Sequence, residues 1–304
     1  MTNFYLYAFI FVSLLFSGCT AEDISMDDSG PHLRKDSLRL LCIGSSYSLD
    51  GTIFLPQLME DNGIHTNTYG IYCAMYAGAS LDYWHDIYTN DKEIEYLYRM
   101  GGRMLLPERK WTLKELLHEH WDVVVLQQSS NLSGNYSSYE PYLKEMVDAV
   151  RKESSNKHVV LAWHLLWSHD ESFYKGPYEY YGWRSIAETT RIVQNDYGFD
   201  FIIPAGTAIQ NARNSALNDE LQLTRDGSHI ANGMGHYILG MTWFETFCKP
   251  VYGKSCLVRK PSETLRNIDT VKDTYYPITD QNYPLAQKCV EEALRQPFEI
   301  MKQP

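Results

Sequence analysis

Short, unbroken apolar runs constrain this chain more than any other feature: Leu40-Leu41-Cys42-Ile43, Val123-Val124-Val125-Leu126 and Val159-Val160-Leu161-Ala162. A strand wetted on one face alternates apolar and polar residues, whereas a strand covered on both faces need not. Runs this short, separated by stretches of helical spacing, imply a parallel sheet sandwiched between helices. The strand candidates are 39–43, 66–74, 122–127, 158–164 and 200–203. Helices are expected near 52–62, from Trp111 to His120 (where Leu113, Leu116 and Leu117 share a face), and at 137–152, 178–195 and 231–247. Another is expected from Leu285 to Arg295, preceded by Pro284 at a favoured helix start. Residues 75–110, rich in Tyr, Met and Gly, interrupt the alternation and read as a loop or helical insert over one sheet end. The fold class is therefore α/β, a three-layer α/β/α sandwich around a mostly parallel sheet.

The N-terminal segment bears on location. Phe4 to Phe16 is almost wholly apolar and runs into Ser17-Gly18-Cys19, then into the polar Thr20-Ala21-Glu22-Asp23. That core is short for a bilayer span and fits a secretory signal over residues 1–18. Cysteine directly after Ser-Gly resembles a bacterial lipoprotein box, in which Cys19 is lipidated and becomes the first mature residue. The other reading is an ordinary cleaved signal. Residues 19–37, polar and without periodicity, then form a flexible tether. The expected location is the cell envelope, outside the cytoplasm, with the membrane touched only through the lipid. Residues 38–250 form the main domain, and 251–304 a C-terminal extension packed on it.

A formal net charge of −11 argues against nucleic acid or an anionic membrane surface as partner. The chain has six cysteines, so setting Cys19 aside leaves an odd number. Cys42 and Cys73 lie in apolar runs and read as buried thiols; Cys248 and Cys256 flank a short segment they could close as a disulfide. There is no CxxC pair, and His118-Glu119-His120 puts its histidines at i and i+2, off a common helix face, so no metal site is expected.

Two short segments carry the chemistry. Ser46 lies in Gly44-Ser45-Ser46-Tyr47-Ser48, just past the first strand, where an open α/β sheet exposes a nucleophile. Asp226-Gly227-Ser228-His229 can place a carboxylate on the imidazole Nδ1–H, leaving Nε2 to take a proton from serine. Each alone has a plain structural reading, as a polar helix cap and as a turn.

Together, the motifs resemble those of the SGNH/GDSL hydrolase superfamily, and especially the bacterial lipoprotein branch catalogued as domain of unknown function 4886. The resemblance spans roughly residues 38–247 in four ordered blocks: Ile43–Ser48, Tyr76–Leu81, Asp122–Asn131 and Asp226–His229. It implies an SGNH hydrolase-like, flavodoxin-like fold, with Ser46 as nucleophile and His229 and Asp226 completing the triad. It also implies an oxyanion hole from the backbone N–H groups of Ser46 and Gly78 and one side-chain amide. Here the family's Gly-Asp-Ser is Gly-Ser-Ser, and its Gly-x-Asn is missing from the third block. The amide donor is Gln128 by its distance from the strand end, or Asn131 by chemical identity.

Trp163, His164 and Trp167, with His169 and Asp170, follow the fourth strand at the same sheet end, and either line a substrate pocket or pack beneath the next helix. The aromatic stretch Phe173–Trp183 suits a sugar ring or a helix core equally. Ile203–Gln210 reads as a turn-shaping segment. The implied activity is cofactor-free hydrolysis of O-acyl, foremost O-acetyl, esters on a small molecule or glycan. The alternatives are a glycan-binding lipoprotein that has lost catalysis, and a thioesterase or lipase on the same triad.

Overall fold

In the computed structural model, six strands form the central sheet: β1 (Leu38–Gly44), β2 (Tyr69–Met75), β3 (Tyr96–Met100), β4 (Val123–Leu126), β5 (Val160–His164) and β6 (Phe201–Ile203). Their order is β3-β2-β1-β4-β5-β6, with every neighbouring pair parallel except β2 and β3. The apolar runs occupy β1, β4 and β5, which are neighbours in the middle of the sheet. Successive residues there feed opposite cores. Leu40, Cys42, Val123, Val125, Val160 and Ala162 pack into one cluster. Leu41, Ile43, Val124, Leu126, Leu161 and Trp163 pack into the other. Fully burying one such aliphatic side chain contributes about 1.5–3 kcal/mol, so helices on both faces have something to hold.

Those helices are α1 (Ser46–Thr52), α2 (Leu55–Asp61), α3 (Leu81–Thr89), α4 (Leu113–His118), α5 (Tyr142–Glu153), α6 (Trp183–Tyr197), α7 (Ala205–Arg213), α8 (Met234–Tyr252), α9 (Glu263–Arg266) and α10 (Tyr283–Arg295). Residues of α1, α2, α7, α8 and α10 line the first core, and residues of α3, α4, α5 and α6 the second. The description covers residues 33, 38–65, 69–100, 109–170, 173, 182–218, 223–268 and 275–302. The signal segment, Cys19 and nearly all of the tether lie outside it. Among the described residues no helix is long and apolar enough to cross a membrane.

The differences from expectation have local causes. The helix expected over 52–62 starts earlier and is divided in two, because Pro56 in the first turn of α2 has no N–H to continue α1. Residues 75–110 hold α3 and the antiparallel edge strand β3, whose exposed Tyr96 and Arg99 hide its strand character from a search for apolar runs. Ile203–Gln210 is mostly helix: Ala205, Ala208 and Ala212 of α7 are fully buried, small residues in a helix that packs on α8 and α10. Residues 251–304 do more than pack on the surface. Cys289, Val290 and Ala293 of α10, with Ile278 and Met301, belong to the first core.

Cys248 and Cys256, expected as a possible disulfide, are both free and buried, as are Cys42, Cys73 and Cys289. Burial pushes the Cys248 and Cys256 thiols well above their ordinary range, and the nearby Glu245 carboxylate adds to it. That suppresses the thiolate on which disulfide exchange depends. Thiol titration without reductant is expected to find these five cysteines free in denaturant and unreactive in the native protein. A shortfall of two after denaturation would restore the disulfide.

Candidate active site

The chain enters the sheet at β1, adds β2 on one side, and later crosses to add β4 on the other. In open α/β sheets such a reversal leaves a crevice outside the strand carboxyl ends. Register brings three of those ends to one rim, since Gly44 lies opposite Met75 and Ile43 opposite Leu126.

On this rim Ser45 caps α1, its Oγ accepting from the Tyr47 N–H at 3.4 Å and from Gln127 Nε2 at 2.8 Å. Gln127 Oε1 accepts from Ser48 Oγ at 2.8 Å and lies 3.2 Å from His164 Nδ1. The carboxamide therefore runs directly under the serine turn. A Cβ on Gly44 would sit 2.5 Å from Gln127 Cδ and 2.7 Å from Ser48 Oγ, so the close approach requires glycine. Ser45 is one end of this bracket. Ser46 is then the first residue of α1, partly exposed above it.

The other half of the site is the loop Thr224–Ile230, closed at its base by a bridge between those two residues. Gly227, at φ 82°, supplies the left-handed step that folds the segment back on itself. Asp226 Oδ1 accepts the Ser228 and His229 backbone N–H groups at 2.9 and 2.7 Å, and Oδ2 lies 2.7 Å from His229 Nδ1. His229 Nε2 lies 2.9 Å from Ser46 Oγ. With Nδ1–H donating to the carboxylate, Nε2 is the acceptor for the serine hydroxyl. Burial works to raise the Asp226 carboxyl, but the His229 and Ser228 bonds outweigh it and hold the group below the usual carboxylate range.

Buried aromatics brace this loop. Tyr47 and Trp167 stack at 4.1 Å and 10°, and both donate to the Ser228 carbonyl, at 3.0 and 2.8 Å. Asp170 binds the Gly227 carbonyl through its N–H at 2.8 Å and takes the Thr224 hydroxyl, while Arg213 holds its carboxylate at 2.8 Å.

Ser46, Asp226 and His229 thus come together; several other expected site residues do not. Gln128 faces the opposite core: its amide donates to the Ser138 carbonyl and hydroxyl, and its oxygen accepts from the Leu81 and Ser129 N–H groups. Its NH₂ is occupied where an oxyanion donor should be available. Asn131 is exposed on the turn after β4, and Gly78 is exposed on the turn after β2 with open space where a Cβ would sit. Trp163, His164 and Trp167 are each at most 1% exposed, which leaves no surface for a substrate. Trp163 packs between Tyr139 and Phe199 in the second core, and His164 lies edge-on to Trp167 and Trp243.

Of the aromatic stretch 173–183, only Phe173, Gly182 and Trp183 are described; Phe173 packs edge-on against His169 at 4.8 Å. His118 and His120 diverge, the first toward the Glu153 carbonyl and the second toward Asp122. Among the described residues no group of three His, Cys, Asp or Glu could hold a metal ion. Gln127 was not singled out in the sequence, although strand parity marks it: two residues beyond Val125, it shares the first core's face with α1.

Burial has a pH consequence. It lowers His164 to about 3 and, with Arg213 and His229 nearby, His169 to about 4. Both are below the ordinary histidine value of 6.5, so on acidification the unfolded chain takes up protons first. Their contribution to stability is complete above about pH 6.5 and is lost progressively down to about pH 3. For His164 alone the slope is about 1.4 kcal/mol per pH unit within that window. Urea midpoints should fall between pH 7 and 5, and less steeply in His164→Gln; equal slopes in the two proteins would rule out the buried neutral imidazole as the cause.

Fold and site together define a flavodoxin-like α/β/α protein with a hydrogen-bonded serine, histidine and aspartate at its sheet switch point. The chain belongs to the family described as a domain of unknown function, DUF4886, whose profile matches residues 39–270. Its fold is similar to the crystal structure of a DUF4886 family protein from Bacteroides uniformis, at 27% identity and a TM-score of 0.68, covering 88% of this chain and 98% of that one. A protein assigned as an SGNH hydrolase from Slackia heliotrinireducens is similar at 17% identity and a TM-score of 0.48, covering 69% and 98% of the two chains. A protein assigned as a GDSL-like lipase from Parabacteroides merdae is similar at 11% and 0.49, covering 71% and 97%. No curated protein matches the chain.

Proposed function

We propose that this protein is a serine esterase that removes O-acyl groups, acetyl first among them, from carbohydrate. The observation that carries the reading is the continuous chain from Ser46 Oγ through the His229 imidazole to the Asp226 carboxylate. His229 Nε2 takes the Ser46 proton as Oγ bonds to the ester carbonyl carbon, and the carbonyl oxygen becomes an oxyanion. The protonated imidazole, stabilised by Asp226, then gives that proton to the departing sugar oxygen, leaving the acyl group on Ser46. Water, deprotonated by the same Nε2, attacks the acyl-serine, and the proton returns to Oγ as acetate leaves.

The oxyanion donors in this reading are the Ser46 and Gly78 N–H groups, with the Asn131 carboxamide third, since Gln128 is occupied by Ser138. Losing one such donor typically costs ~3 kcal/mol of transition-state stabilisation. The chemistry needs no metal or organic cofactor.

Carbohydrate is favoured by tyrosines beside Gly78. Tyr76 and Tyr83 stack at 4.8 Å and are partly exposed, and Tyr96 and Tyr98 line the adjoining sheet edge. Rings with an apolar face and a polar tip suit a sugar. The protein is further proposed to act outside the cytoplasm, anchored through lipid on Cys19. The test is acetate release from acetylated polysaccharides and from a chromogenic acetyl ester. Release from both is expected; a folded protein releasing acetate from neither, with saturable glycan binding, would replace the esterase by a binding protein.

A further inference from the structure

We infer that Asp50 is a positioning residue for the triad: from the nucleophile's own helix it holds both ends of the loop carrying Asp226 and His229. The inference rests on the serine-esterase reading. Asp50 lies one helical turn after Ser46 in α1, on the same side of the helix, and is 6% exposed. Its Oδ1 accepts from Arg225 Nη2 at 3.0 Å, and its Oδ2 from the Ile230 N–H at 3.0 Å. Arg225 immediately precedes Asp226, and Ile230 immediately follows His229, so one carboxylate grips the catalytic turn at both flanks. Arg225 Nη1 also donates to the Ile230 carbonyl, which ties the flanks to each other. From α8, His236 Nε2 reaches Asp50 Oδ1 at 3.3 Å. Burial opposes ionisation of this carboxyl, but His236 and Arg225 outweigh it and keep the group below the usual carboxylate range.

Many buried ion pairs serve only the fold, and removing one partner is costly whatever its role. The arrangement here has a particular geometric content. Ser46 and Asp50 share a helix of seven residues, and Asp226 and His229 share a loop of similar size. With the helix and loop joined through Asp50, the Ser46–His229 contact is set by the local geometry of two short segments. Misplacing reacting groups by an ångström is enough to cost roughly 10²-fold in rate.

The experiment compares Asp50→Asn, Arg225→Gln and Arg225→Lys with the unaltered protein on a chromogenic acetyl ester. Rates are expressed per site titrated by a fluorophosphonate, and thermal melts are recorded alongside. Asp50→Asn is expected to lower kcat per titrated site by roughly 10²-fold with KM changed less than about twofold. Arg225→Gln should lower it by roughly tenfold, and Arg225→Lys should recover part of that loss by keeping the charge. Variants that melt lower yet turn over at the unaltered rate per titrated site would make Asp50 purely structural and overturn the inference. If Asp50→Asn does not fold, the substitutions at Arg225, whose side chain is 27% exposed, decide the matter by the same criterion. An unaltered protein that neither turns over ester nor takes up fluorophosphonate would overturn the esterase reading itself, a result visible before any variant is made.

Discussion

Ser46→Ala is expected to lower ester turnover by on the order of 10⁴- to 10⁶-fold and leave the protein as stable as before. Alanine suits the first turn of a helix, and the cap on α1 comes from Ser45. The Ser46 hydroxyl reaches His229 across the crevice, whereas Ser45 and Ser48 hold the Gln127 bracket beneath it. The substitution therefore removes the proposed nucleophile and little else. Acetyl ester turnover and fluorophosphonate labelling should both vanish, while affinity for the glycan product should persist. Turnover retained within tenfold would mean that another group attacks the ester, and the assignment of Ser46 would fail.

Asp226→Asn should cost about 10⁴-fold in kcat, with the loop still in place. An asparagine can keep its oxygen on the Ser228 and His229 N–H groups, which Asp226 Oδ1 accepts at 2.9 and 2.7 Å. Its NH₂ then faces His229 Nδ1, which must become an acceptor, so the ring carries its proton on Nε2. That tautomer donates toward Ser46 and cannot take its proton. The imidazolium formed during the reaction also loses its counter-charge. Thermal melting close to the unaltered protein, together with the lost rate, distinguishes this from loop collapse. A loss of less than about tenfold would mean that Asp226 does not govern the histidine.

Much of this fold could be read from the apolar runs, because a strand covered on both faces advertises itself. The matching DUF4886 profile covers nearly the same stretch as the sequence resemblance, and β1, β2, β4, β5 and β6 fall close to their expected places. What escaped were elements whose character depends on tertiary context. The edge strand β3 has one neighbour and an exposed surface, and α7 is held by small residues that do not form an apolar stripe.

The site shows the same division. Ser46, Asp226 and His229 stand in short local motifs, so they can be picked out as candidates without coordinates. The surrounding frame is not local. Gln127 and Gln128 are adjacent and chemically identical, and only strand parity sends the first beneath the turn that carries Ser46 and the second toward Ser138. Trp163, His164 and Trp167 sit at the right sheet end for a pocket, but His164 and Trp167 lie beneath α8 and the triad loop and Trp163 faces the second core, so burial claims all three. Asp50 carries no such signal, since nothing in the sequence links it to Arg225 and Ile230 at the far end of the domain.

Ser46 and His229 are 183 residues apart, and the core behind them is finished by α10 near the end of the chain. Synthesis proceeds from the other end, at roughly 5–20 residues per second. The central strand and Ser46 therefore emerge long before His229. Under the proposed mechanism, a nascent fragment ending before the triad loop lacks the base that ester hydrolysis requires. Under that mechanism the Ser46–His229 contact, and with it activity, arises only once β1 and the triad loop have met in the folded domain.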